Sequence, residues 1–90
     1  MTTCEKVREK IFQELRGNSA NDKGYQEDYI WPCNEYIAFY QHLDAAERNC
    51  FYPVMEAMCN ERLFIRELKD NRVEYRITKS GAERIHGKIG

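Results

Sequence analysis

The chain is poor in the residues that announce catalysis or metal binding. Its 90 residues include two histidines, His42 and His86, and two serines, Ser19 and Ser80. No serine or cysteine stands at a recognisable family spacing from a histidine, so nucleophile–base catalysis has no signature here. A glycine-rich phosphate loop and a His-Glu-x-x-His helix are both missing. His42 lies in an aromatic-rich segment and fits a packing role better than that of a general base. The four cysteines, Cys4, Cys33, Cys50 and Cys59, are 29, 17 and 9 positions apart. Zinc ligands usually come as pairs a few residues apart, so that one turn presents both to one ion, and no such pair exists. The expectation is a non-enzymatic chain with no catalytic residues, no metal, no cofactor and no small-molecule ligand.

Long apolar runs are absent too, so no membrane association is expected. Met1-Thr2-Thr3-Cys4-Glu5-Lys6 has no apolar core of the kind a signal peptide needs. The expected location is the cytoplasm, with the cysteines reduced and unmetallated. Cys50 and Cys59 fall near an apolar stripe and suit the role of small core hydrophobes.

What is present suffices for one small core. Hydrophobic residues make up 42% and aromatics 12% of the chain, enough for a single domain over residues 1–90. Stability at this size is limited, which makes a homodimer a candidate state. Formal net charge is −1, but the charges are unevenly placed. Residues 1–61 carry 6 Lys+Arg against 11 Asp+Glu, a balance of −5, and residues 62–90 carry 8 against 4, a balance of +4. A nucleic-acid binder needs cations where phosphates pass, whatever its average charge.

Local patterns order the elements. Thr2 with Glu5 fits a capping box, followed by Val7, Ile11, Phe12 and Leu15 on one helical face. Gly17 with Asn18 ends that helix. A polar surface loop then occupies about 17–28, long for so small a domain. Tyr29-Ile30-Trp31 is a short β-prone run before Pro32. Asn34 is the expected cap of a second helix with Ile37, Phe39, Tyr40 and Leu43 inward. Asp44 with Glu47 forms another capping box, opening a third helix with Phe51, Val54, Met55 and Met58 buried. Pro53 either kinks that helix or marks its true start near Tyr52. Residues 63–78 then make a hairpin with its tip at Lys69 to Arg72, since Val73, Tyr75 and Ile77 alternate with Arg72, Glu74 and Arg76. Thr78 caps a short last helix containing Ala82, Glu83 and Ile85. The fold class is α+β, mainly α: a three-helix helix-turn-helix core, a β-hairpin wing and a short C-terminal helix.

Helix, tight hairpin and then Tyr75-Arg76-Ile77-Thr78-Lys79-Ser80-Gly81 resembles the end of a winged helix-turn-helix domain. The resemblance runs from Val7 to Ile85, with Arg62 where many relatives have glycine. It implies a duplex DNA reader and a transcriptional regulator. By that resemblance the third helix enters the major groove through Arg48, Asn49, Tyr52 and Glu56. Arginine can bond guanine twice and asparagine can read adenine. Arg66, Lys69, Arg72, Arg76 and Lys79 would hold the backbone from the wing and its exit. The other reading is a winged helix that binds protein, since fold alone does not fix function. Tyr25, Tyr29, Trp31, Tyr36 and Tyr40 are dense in tyrosine and tryptophan, which interface cores favour.

Overall fold

Two reciprocal capping boxes set where the long helices begin. The computed structural model describes residues 2–17 and 28–85, in the order α1 (Thr3–Gly17), β1 (Ile30–Trp31), α2 (Cys33–Gln41), α3 (Ala45–Asn60), β2 (Phe64–Lys69), β3 (Arg72–Ile77) and α4 (Lys79–Ile85). Ahead of α1, the Glu5 N–H donates to Thr2 Oγ1 at 3.1 Å and the Thr2 N–H to Glu5 Oε1 at 3.0 Å. Ahead of α3, the Glu47 N–H donates to Asp44 Oδ1 at 2.8 Å and the Asp44 N–H to Glu47 Oε1 at 3.1 Å. Each box satisfies donors that a helix start otherwise leaves open. Because the second box holds, α3 begins at Ala45 and runs through Pro53, which overturns a start near Tyr52. Pro53 is exposed, so the Asn49 carbonyl it cannot serve faces water.

The second helix departs from expectation. Pro32, at φ −77° and ψ 157°, is its N-cap without a side-chain bond, and Asn34 lies inside the first turn. The inward residue of α2 is Tyr36, while Ile37 is exposed. Of the expected inward residues, Leu43 is buried and Phe39 and Tyr40 pack half-buried on the core, so the correction is confined to Ile37, whose place is taken by Tyr36.

Three residues, Glu61 to Leu63, carry the chain from the end of α3 into the hairpin. Leu63 N–H bonds the Met58 carbonyl and Arg62 N–H bonds the Cys59 carbonyl, each at 2.9 Å. Arg62 is left-handed at φ 64°. This is the Schellman arrangement, with Leu63 and Met58 both buried as its apolar contact. Asp70 and Asn71 have φ of 51° and 63°, and Lys69 pairs with Arg72. Two left-handed residues between paired strands make a two-residue turn whose twist matches the sheet, and Asp and Asn tolerate that region.

The sheet has order β1-β3-β2, antiparallel throughout, with Trp31 opposite Tyr75, Arg66 opposite Tyr75 and Phe64 opposite Ile77. Its inner face closes one core with α1, α2 and α3, built from Val7, Ile11, Leu15, Phe51, Met55 and Met58 with Trp31, Phe64 and Ile77. At the exit, Thr78 Oγ1 accepts the Gly81 N–H at 3.0 Å, capping α4, and donates to the Arg62 carbonyl at 2.5 Å. The expected α+β class, with three helices before a hairpin and a short helix after it, is the observed one.

Several ties fix α1 on the rest. Arg8 forms a two-pronged pair with Glu61 at 2.6 and 2.7 Å, Lys10 bonds the buried Glu47, and Arg16 Nε donates to the Ile85 carbonyl at 2.6 Å. Cys4 and Cys50 are joined as a disulfide with Cα atoms 5.1 Å apart, and Cys33 and Cys59 are free thiols. The expectation of four reduced cysteines is therefore corrected for one pair. A separation of 46 residues gave no hint, since it is the packing of α1 on α3 that brings the two together.

Candidate nucleic-acid interface

The outward side of α3 carries the four residues expected to meet bases, but not on equal terms. Arg48 is turned back on the protein: its Nη2 donates to the Gln41 carbonyl at 2.7 Å and its Nε to the Tyr40 carbonyl at 3.4 Å. Its guanidinium lies 5.8 Å from the centre of the Tyr40 ring. It thus serves the Gln41 carbonyl, adds a second donor to the Tyr40 carbonyl that already accepts the Leu43 N–H, and sits at the negative end of the α2 dipole. Asn49 and Glu56 are exposed, and Tyr52 is half-exposed against Tyr40 and Phe51, with ring centres 5.8 and 5.0 Å away.

Between α3 and the hairpin runs a groove of about 320 Å³, lined by Tyr52, Glu56, Cys59, Asn60, Arg66 and Tyr75. Burial pushes the Cys59 thiol up, partly opposed by Arg66, and raises Tyr52 with help from Tyr40. Tyr75 is pushed up to about 12, again mainly by burial. Near neutral pH the thiol and phenols are uncharged, so the groove holds one cation, Arg66, and one anion, Glu56. Asn60, Cys59 and Tyr75 were missed in the sequence reading. Asn60 stands one and two turns beyond Glu56 and Tyr52 on the same helical face, and that spacing could have found it.

Strand alternation divides the wing cations. Arg66 shares the helix-facing side with Tyr75, whereas Arg72 and Arg76 stand on the outer side with Ile65, Glu67 and Lys69. Arg76 is also neutralised, 2.8 Å from Glu67 and 3.8 Å from Asp28. A single phosphate track through Arg66, Arg72 and Arg76 is thereby excluded. Lys69 and Arg72 face each other across the tip, and Lys79 is exposed at the start of α4. Among the described residues, Arg62, Arg66, Lys69, Arg72 and Lys79 enter no ion pair, and neither do Lys6 of α1 and Arg84 of α4, the latter lying 5.9 Å from the centre of the Phe12 ring.

The aromatic segment is largely spent on the core, a correction to its reading as an interface. Trp31 is 0% exposed, ringed edge-on by Tyr36, Phe39 and Phe51 at 5.9, 5.7 and 6.4 Å. Tyr36 is buried and its hydroxyl donates to the Val73 carbonyl. Tyr29 is half-buried with its hydroxyl 3.3 Å from Glu35, and Tyr40 is half-buried under Arg48. Tyr25, most of the loop at 17–28, Ser19 and His86 lie outside the described residues. The large apolar side chains that do reach solvent are Ile37, Tyr52, Ile65 and Leu68, exposed by 37, 50, 49 and 74%. Leu68 is on the helix-facing side of the hairpin, beyond the point where the helices cover it.

Among the described residues no group of three or more His, Cys, Asp or Glu side chains could hold a metal ion. Among the described residues no helix is long and apolar enough to cross a membrane. Compared with protein-family models, curated proteins and solved structures, the chain matches none.

Proposed function

We propose that this chain is a winged helix-turn-helix domain that binds duplex DNA, led by its hairpin, as a small cytoplasmic transcriptional regulator. The observation that carries the reading is the distribution of unpaired cations. Of the cations that enter no ion pair, Arg62, Arg66, Lys69, Arg72 and Lys79 cluster on the hairpin or at its two ends, while Lys6 and Arg84 stand apart on α1 and α4. The arginines of the helical half are tied to the protein itself: Arg8 to Glu61, Arg16 to Ile85 and Arg48 to α2. Phosphates contribute most of the affinity in such complexes, so charge left free on one element directs that element to the backbone. The third helix then follows with Asn49 and Tyr52, while Glu56 needs a cytosine amino group or solvent.

A second reading keeps one observation in its favour. Tyr52 is exposed on a groove whose one cation and one anion cancel, and Leu68 is exposed on the same side of the hairpin as Arg66, which suits a protein partner better than a phosphate chain.

Titration of labelled duplex against salt separates the two. With ~3–5 phosphates neutralised, log affinity falls against log salt with a slope of about −3 to −4. No duplex binding at tens of micromolar and low salt, where non-specific binders reach roughly 10⁻⁴–10⁻⁶ M even at physiological salt, moves the assignment to the protein-binding reading.

A further inference from the structure

The Cys4–Cys50 bond has no part in that reading, and its setting is unusual for a purely structural staple. We propose that it is a reducible clamp: a redox-controlled fastening of the start of α1 onto α3 that sets the stability of the domain. Cys50 is buried on the core side of α3, while Cys4 is exposed in the first turn of α1. An attacking thiolate therefore approaches from the Cys4 side, since Cys50 is covered by the core. Cys4 is also the second residue of α1, after the Thr2 cap and Thr3.

The chemistry balances with a dithiol as reductant. Its thiolate bonds to Cys4 Sγ, the Cys4–Cys50 bond breaks, and Cys50 leaves as a thiolate and takes up a proton. The second thiol of the reagent then attacks the mixed disulfide and releases Cys4 at the helix N-terminus. Two electrons pass to the protein, two protons end on the cysteines, and the reagent becomes a cyclic disulfide.

Opening the clamp leaves the rest of the α1–α3 contact in place. Val7, Ile11 and Leu15 stay in the core, and the Arg8–Glu61 and Lys10–Glu47 pairs do not involve sulfur. The bond closes a loop of 46 residues, about half of a small chain. Reduction therefore loosens the domain without dismantling it. Cys50 lies on the opposite side of α3 from Tyr52 and Glu56, so the groove and hairpin are unaffected while the domain remains folded.

The test uses the full chain in three forms: equilibrated with oxidised glutathione, treated natively with millimolar dithiothreitol, and carrying Cys4→Ser with Cys50→Ser. Thiol titration of the oxidised form is expected to find two free thiols, assigned by mass spectrometry to Cys33 and Cys59. Native reduction is expected to raise this to four and to lower the thermal midpoint by at least ~10 °C, with re-oxidation restoring it. The double variant is expected to match the reduced form and to ignore reductant, whereas Cys33→Ser with Cys59→Ser keeps the full shift. Four free thiols in the oxidised form, a bond that resists native reductant, or equal midpoints in the two states would each overturn the proposal. If the double variant does not fold, the reversible shift in the unsubstituted chain decides alone.

Discussion

A β-carbon placed on Gly81 would stand 2.0 Å from the carbonyl oxygen of Leu63. That oxygen is also the acceptor of the Thr78 N–H at 3.1 Å, so it is not free to retreat. Gly81→Ala is therefore expected to cost about 2 kcal/mol or more, by forcing α4 off the end of the hairpin. The neighbouring Ser80→Ala, at an exposed site, is expected to stay within about 0.5 kcal/mol. Equal urea midpoints for the two variants would refute the close approach.

Thr78 is expected to act as a cap and not as a filler. Thr78→Val keeps shape but removes the acceptor of the Gly81 N–H and the donor to the Arg62 carbonyl. A loss of roughly 1–2 kcal/mol in chemical denaturation is expected, whereas Thr78→Ser, which keeps the hydroxyl, is expected to keep most of the stability. A Ser variant as damaged as Val would show that packing decides.

Trp31 separates core from interface directly. Being fully buried among three rings, it is expected to emit at short wavelength and resist aqueous quenchers. Trp31→Ala is expected to cost about 3–5 kcal/mol and to unfold much of the population. A stable Trp31→Ala protein that merely loses a partner would restore the interface reading of this segment.

Stability is expected to fall at both ends of the pH scale. Hydrogen bonds from Lys10 and Arg8 hold the Glu47 and Glu61 carboxyls below the ordinary value of 4.5. A lowered folded value means their contribution is present above pH 4.5 and is lost as pH falls through the folded values. At the alkaline end burial raises Tyr75 from 10.0 to about 12. Burial also raises Tyr36, with a further push from Cys33. Raised values reverse the sign: the contribution is present below pH 10 and is lost as pH climbs toward 12. Urea midpoints are expected to be flat between, and Glu47→Gln should flatten the acid limb. An unchanged acid limb in that variant would exclude Glu47 as a source.

Arg48 and Arg66 should behave oppositely in the duplex titration. Arg66→Ala is expected to weaken all sequences alike and to reduce the salt slope by about 1. Arg48→Ala is expected to lower the thermal midpoint, because it removes the 2.7 Å bond to the Gln41 carbonyl, and to leave sequence preference unchanged. A change of preferred base with Arg48→Ala would show that it leaves α2 when DNA arrives.

The fold was legible wherever the cause is local. Thr2 with Glu5, Asp44 with Glu47, and Asp70-Asn71 between alternating strands each satisfy backbone groups a few residues away, so their positions set helix starts and the turn. The stripes of α1 and α3 were equally plain, because helical period alone decides which side chains share a face. Tertiary structure decided what those faces meet. Arg48 finds the end of α2, Arg76 finds Glu67 and Asp28, and Cys4 finds Cys50 across 46 residues. It likewise put Trp31 and Tyr36 in the core and left Ile37 and Leu68 in water. A charge or a ring carries no mark of its distant neighbour in the sequence. Whether it is spent on the protein or left for a partner depends on which element packs against it.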